Sequence, residues 1–244
     1  MQLVSLYQTG STALNFANCE KDSGGSGYAS GIVNFTTRNG DALKVIQEYL
    51  SYNSGSYNGT FDEYLPTLKK YASKGSGSTK GLSGYCDAWE EAAQDNLFWN
   101  AQSSVLSSEY NAPIQEYVDE IKIKFSVTRA ILYDTAIVNG LGSSDSDLGG
   151  IFKATNAAFY TSVEGDSGNS VVINNEYSVD ELMWALKFLD IRESSSDSGS
   201  KNIAAYRSII ARNDLTWDKD VTVEDSDGKE VTVSCTKPAS MQEA

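Results

Sequence analysis

Histidine is absent from this 244-residue chain. That absence removes Ser-His-Asp and Cys-His nucleophile pairs, imidazole metal sites and any imidazole general base. Only three cysteines are present, Cys19, Cys86 and Cys235; they allow at most one disulfide, leave one thiol over and are too scattered for a zinc cluster. No run of roughly eighteen apolar residues exists, and the N-terminus has neither a basic region nor an apolar stretch of signal-peptide length. No membrane partner is expected, and the expectation is a secreted, extracellular protein whose export signal is not part of the sequence. Basic residues are few, 19 against 33 acidic, for a formal net charge of −14. A nucleic-acid backbone is repelled by such a chain, whereas a polycationic partner fits it. No P-loop spacing occurs, and Gly24-Gly25-Ser26-Gly27 lacks the strand-turn-helix context of a dinucleotide site. Neither a cofactor nor a metal is expected, and carboxylate chemistry is what remains.

What is present is a helix-rich pattern with 40% hydrophobic residues, enough for a sizeable core. Residues 1–8 read as a helix, closed by Thr9-Gly10-Ser11-Thr12 and followed by a glycine-rich turn at 23–27. Tyr28 to Thr36 carries Ile32, Val33 and Phe35 and fits either a short strand or a buried helix start. Asn39-Gly40-Asp41 before Leu43, Ile46 and Leu50 reads as a cap and an apolar stripe. Thr60-Phe61-Asp62-Glu63 reads as a capping box, with Pro66 forcing a kink or a restart. Trp89, Ala93, Leu97, Ala101 and Val105 recur every four residues and predict one long helix from near Asp87. A second, central helix of about 25 residues is predicted from Pro113 to Gly140. Asp147 reads as the cap of a helix through Phe152 and Phe159. Ser178-Val179-Asp180-Glu181 reads as a further capping box, opening a helix to about Glu193, and Lys201 to Arg212 is helical. Val221-Thr222-Val223 and Val231-Thr232-Val233 flank Asp227-Gly228, a hairpin signature. Asn34-Phe35-Thr36 and Asn58-Gly59-Thr60 match the N-glycosylation pattern.

A helical chain rich in Tyr and Trp, with only Asp and Glu for proton transfer, points to glycoside hydrolysis, which needs two carboxyl groups flanking the scissile bond. The collinear blocks Leu3-Val4-Ser5, Gly27 to Phe35, Asn39 to Leu43, Tyr64 to Lys70, Trp89 to Asp95, Tyr133 to Gly140 and Gly149-Gly150-Ile151 resemble those of glycoside hydrolase family 46 chitosanases over roughly residues 2–217. The resemblance implies a mainly α, lysozyme-like fold over 1–244, as one domain with two lobes around a cleft, a central long helix and a small β-hairpin. It also implies chitosan or another amino-sugar oligomer as partner and an inverting mechanism.

Carried over residue by residue, the resemblance places the family's proton-donating glutamate at Gln8, or at Gly10 in another register, and its second carboxylate at Gly24. Ser26 stands where an arginine is usual and Ala29 where a threonine is. Tyr28, Asp41, Glu193 and Lys201 are implied to be substrate-binding or members of a charged network behind the cleft, with Leu186 in place of a network arginine. Asp41 reads equally well as a helix cap, and Glu193 and Lys201 as solvent-facing helix ends. Glu20 and Asp22 are the acids placed to stand in for the missing pair, because a glycine-rich turn beside them can swing. Three functions follow as expectations: a pseudoenzyme that retains polysaccharide or protein binding, an active glycosidase with relocated carboxylates, and a secreted effector that a host protein recognises through its surface.

Overall fold

The computed structural model describes residues 2–159, 180–195 and 200–234, the side chains of Ser200 and Lys201 excepted. Cys235 and the predicted start of a capping box at Ser178-Val179 lie outside them. The chain divides into two compact units, with the boundary between Ser108 and Glu109.

The first unit opens with α1 (Gln2–Thr9), whose Leu3, Val4 and Leu6 are buried. Three short antiparallel strands follow, β1 (Cys19–Lys21), β2 (Tyr28–Ser30) and β3 (Phe35–Thr36), in that order across the sheet. Glu20 pairs with Ala29 and Ser30 with Phe35. The ambiguous segment 28–36 is therefore two strands joined by a turn. Gly31 at that turn has φ +73°, and a Cβ there would lie 2.3 Å from Gln102 Oε1, so only glycine fits.

Helix α2 (Asp41–Ser51) begins after a left-handed Gly40, so Asp41 is its first residue and not its cap. The capping box at Thr60 does not form: Asn58–Phe61 is a 3-10 turn, and α3 (Leu65–Lys74) restarts with Pro66 in its first turn, where its missing N–H costs nothing. The long helix predicted from Asp87 is two helices, α4 (Tyr85–Ala92) and α5 (Asn96–Leu106). Asp95 separates them, in an extended conformation, with its carboxylate accepting the Leu97 amide. The four-residue repeat survives the break because Trp89, Ala93, Ala101 and Val105 are all buried, Phe98 taking the core place expected of Leu97.

Around Trp89 the rings of Tyr85, Phe61 and Phe98 pack at centroid distances of 6.0, 6.4 and 4.8 Å. Cys19 on β1 is bonded to Cys86 on α4, closing a loop of 67 residues. In the chain-entropy description such a loop contributes about 4 kcal/mol.

The second unit starts in a π-helical turn, Ser107–Asn111, which leads into α6 (Ala112–Ile121). The helix predicted to run from Pro113 to Gly140 ends at Ile121, and α7 (Ser126–Asn139) follows. Lys122 adopts φ +65°, and the amides of Lys122 and Ile123 both reach back to the Val118 carbonyl, closing the helix as a left-handed cap usually does with glycine. The buried Glu181 carboxylate then accepts the amides of Lys124 and Phe125 at 3.0 and 2.9 Å, holding the break open.

Helices α8 (Leu148–Ala158), α9 (Glu181–Ser195) and α10 (Ser200–Ala211) complete the unit with the hairpin β4 (Val221–Glu224) and β5 (Glu230–Val233). Asp180 caps α9, accepting the amides of Leu182 and Met183. In the hairpin Val221 pairs with Val233 and Val223 with Val231. The fold is mainly α with a small β component, as expected.

Candidate functional site

In the first unit, five of the singled-out positions lie on or beside α1 and the β1–β2 hairpin. Gln8 is in the last turn of α1, half-buried, and carries a carboxamide where a proton donor needs a carboxylic acid. Glu20 is exposed in the middle of β1. Asp22 begins the turn to β2, and Gly24 sits within that turn. Tyr28 opens β2, half-buried, with its ring 5.3 Å from the fully buried Tyr85.

The turn is not free to swing. Asp22 Oδ2 accepts the Ser26 amide at 2.7 Å, and the Asp22 amide donates to the Gly27 carbonyl at 2.9 Å. On its outer side the turn meets the loop after α3: a Cβ at Gly77 would stand 1.7 Å from the Gly25 carbonyl oxygen, so two backbones touch where no side chain fits. A Cβ at Gly24 would lie 3.2 Å from Asp22 Oδ2. A carboxylate at position 24 would therefore crowd the one already at Asp22.

The Ser26 amide holds the Asp22 carboxyl below its ordinary value of 3.8, outweighing the upward pull of partial burial, with smaller help from the Gly24 amide and Ser26 hydroxyl. A general acid needs the opposite shift, upward toward the working pH. Because the folded-state value is depressed, Asp22 contributes to the turn's stability above the unfolded value of 3.8 and loses that contribution as pH falls through the lower folded value. The Ser26 amide proton, followed by NMR, is expected to titrate with a midpoint below 3.8. A midpoint above that value would return Asp22 to the list of proton donors.

Asp41 is buried, and its Oδ1 accepts the Thr36 amide at 2.6 Å and the Ala42 amide at 3.0 Å. One oxygen of this carboxylate thus clamps β3 to the start of α2, a position the helix dipole also favours. Asp95 plays a similar part away from the hairpin. Burial pulls its carboxyl upward, but the amides of Leu97 and Ser56 and the Tyr49 hydroxyl together hold it below 3.8. The Tyr49 phenol, pushed by burial, rises to about 12.

The second unit carries the remaining two positions, Glu193 on α9 and Lys201 on α10. Glu193 is exposed and pairs with Arg207 Nη2 at 3.0 Å, beside Asp190 at 2.7 Å, a solvent-facing cluster between α9 and α10. The side chain of Lys201 is outside the described residues. The buried charge is one residue before Glu193: Arg192 Nη1 meets Asp134 Oδ2 at 2.7 Å, with side chains 0% and 1% exposed. Arg192 Nε donates to Asn139 Oδ1 and Asn202 Nδ2 donates to both Asp134 oxygens. Neither Arg192 nor Asn202 was singled out by sequence, because a buried arginine in an Ile-Arg-Glu helix end gives no signal of its own.

Among the described residues no three or more Cys, Asp and Glu side chains stand where they could hold a metal ion. No helix among them is long and apolar enough to cross a membrane. The sequon at Asn34 is engaged, its carboxamide making two hydrogen bonds.

The chain is mainly helical, with a small three-stranded sheet that carries the exposed Glu20 and the half-buried Tyr28, and comparison with known proteins places it in a family. Residues 2–225 match glycosyl hydrolase family 46. The chain belongs to that family. A chitosanase of Bacillus subtilis is 32% identical over 78% of this chain and 64% of its own length. A chitosanase of a Streptomyces species is 28% identical over 80% of this chain and 64% of its own length. The chain thus spans about 64% of these curated relatives. Among solved structures, a glutamate-to-alanine mutant chitosanase of Bacillus subtilis MY002 complexed with six GlcN superimposes with a TM-score of 0.82. Its identity to this chain is 27%, covering 96% of this chain and 95% of that one. The Gynuella sunshinyii chitosanase in complex with chitotetraose, 23% identical and covering 95% and 94%, shares the fold with a TM-score of 0.79.

Proposed function

We propose that this chain is a secreted, chitosanase-like family 46 protein that holds amino-sugar oligomers without hydrolysing them. The observation that carries the reading is the state of the acids around the hairpin. Gln8 and Gly24 offer no carboxyl group, and Asp22, beside them, is committed as an ionised acceptor inside its own turn. Glycoside hydrolysis with inversion needs an acid and a base on opposite faces of the bond. Glu20 alone supplies at most one of them.

Two further facts support retained binding, and one supports export. The net charge of −14 suits a polycationic oligomer. The relative complexed with six GlcN is one in which a glutamate has become alanine, so occupancy by an oligomer does not depend on that glutamate. The Cys19–Cys86 disulfide supports export, since such bonds persist in oxidising compartments.

Purified protein is expected to release no reducing ends from chitosan between pH 3 and pH 8, while calorimetry with hexameric glucosamine shows saturable heat that weakens with added salt. Turnover abolished by Glu20→Gln or Asp22→Asn would sink the reading and establish relocated carboxylates instead. Absence of both turnover and binding would leave recognition of the protein's surface, by a host protein, as the reading to pursue.

A further inference from the structure

Asn34 is given no site role by the family resemblance, yet it hydrogen-bonds both α1 and the segment leading into β1. It has φ +58°, a left-handed conformation that asparagine tolerates better than other residues carrying a Cβ. Its Oδ1 accepts Asn18 Nδ2 at 2.9 Å, and its Nδ2 donates to the main-chain carbonyl of Gln8 at 3.0 Å. The backbone completes the circuit, the Gly31 amide donating to Asn18 at 2.7 Å and the Asn34 amide to Gly31 at 3.3 Å. Turning either carboxamide over would set acceptor against acceptor, so the network fixes both orientations.

The Gln8 carbonyl is one of the last four of α1, the groups for which a helix has no internal partner. Asn34 supplies that partner from the turn between β2 and β3. We infer that Asn34 is a positioning residue: it caps the end of α1 through space and so sets position 8 against the β1–β2 hairpin that carries Glu20, Asp22 and Tyr28. The consequence for ligand binding rests on the oligomer-binding reading; the consequence for α1 does not.

Three variants separate these. Asn34→Gly keeps the left-handed backbone and removes both side-chain bonds, which guards against a folding failure. Asn34→Ala removes them with backbone strain added. Asn34→Asp faces the Gln8 carbonyl with an acceptor while ionised, and donates again once protonated. In Asn34→Gly the Gly10 amide, which closes the last turn of α1 on Leu6, is expected to exchange about tenfold faster with α5 unchanged, as losing one ordinary hydrogen bond gives. At pH 7 hexameric glucosamine is expected to bind Asn34→Gly and Asn34→Asp about tenfold more weakly than wild type, the same single-bond loss. Near pH 4 only Asn34→Asp recovers toward the wild-type value at that pH, its carboxyl being raised by the facing carbonyl. A merely structural asparagine gives no such pH-dependent rescue. Wild-type exchange at Gly10 in Asn34→Gly, or an Asn34→Asp variant that behaves alike at both pH values, overturns the inference. If wild-type protein binds no oligomer, the functional reading fails, and the exchange rates and their recovery in Asn34→Asp still decide the role of Asn34.

Discussion

Replacing Arg192 by leucine is expected to destabilise the second unit by about 3–5 kcal/mol, because it strands a carboxylate in a site closed to water. Asp134 is 1% exposed, and without the guanidinium it keeps, among the described residues, the Asn202 carboxamide at 3.0 and 3.3 Å. Asn139 Oδ1 loses its donor as well. Arg192→Lys is expected to rescue little, since one ammonium cannot reproduce the fork by which Nη1 reaches Asp134 while Nε reaches Asn139. The double variant Asp134→Leu/Arg192→Leu is expected to recover the larger part of the loss, because both charges leave together and only the two asparagines remain short of partners, at about 1–3 kcal/mol each. Urea denaturation followed through Trp184, buried in the same unit, reads all three. A single-variant cost below about 1 kcal/mol would mean that water reaches the pair.

That pair shows where sequence stops being informative. Glu193, which the family resemblance points to, is next to Arg192, and one step along a helix turns a side chain by about 100°, from core to solvent. The Asp180 cap marks where α9 begins, but a cap says nothing of which charged residue further along points inward. Only Asp134, 58 residues away on α7, decides it.

The same holds for the hairpin. The glycines at 24, 25 and 27 announce a turn, and their number suggests mobility. The turn is restrained locally, by Asp22 Oδ2 on the Ser26 amide, and also non-locally, where the glycine pattern gives no warning, by Gly77 against Gly25 and by the disulfide that ties β1 to α4. The helix breaks that were missed share a cause. Lys122 caps α6 in a conformation normally advertised by glycine, and Asp95 starts α5 inside an unbroken four-residue repeat. By contrast the β4–β5 hairpin needs only a local signal, Asp227-Gly228 between two alternating valine strands, and it forms with Val221 opposite Val233.

Trp89→Ala is expected to cost the first unit about 3–5 kcal/mol, the range for removing a large buried aromatic side chain. Trp89 is 0% exposed, and three other rings pack against it, Phe98 edge-on at 4.8 Å. Its Nε1 donates to the Phe16 carbonyl at 2.9 Å, a group that Gln102 Nε2 also serves at 2.9 Å. Losing the indole therefore leaves that carbonyl half satisfied, and the cost is dominated by the cavity. Trp89→Phe keeps most of the buried area and is expected to cost less than half as much as alanine. The effect should also travel toward the candidate site. Trp89 Cζ2 and Gln102 Oε1 together wall in Gly31, and Gln102 Oε1 accepts the Ile32 amide, so the turn between β2 and β3 rests on this ring. Amide exchange at Ile32 is expected to accelerate in Trp89→Ala more than in Trp89→Phe, while Gly228 in the second unit keeps its wild-type rate. Equal exchange in both variants would show that Gln102 alone supports the turn. The sheet beside α1 would then owe its position to hydrogen bonding and not to the aromatic core beneath it.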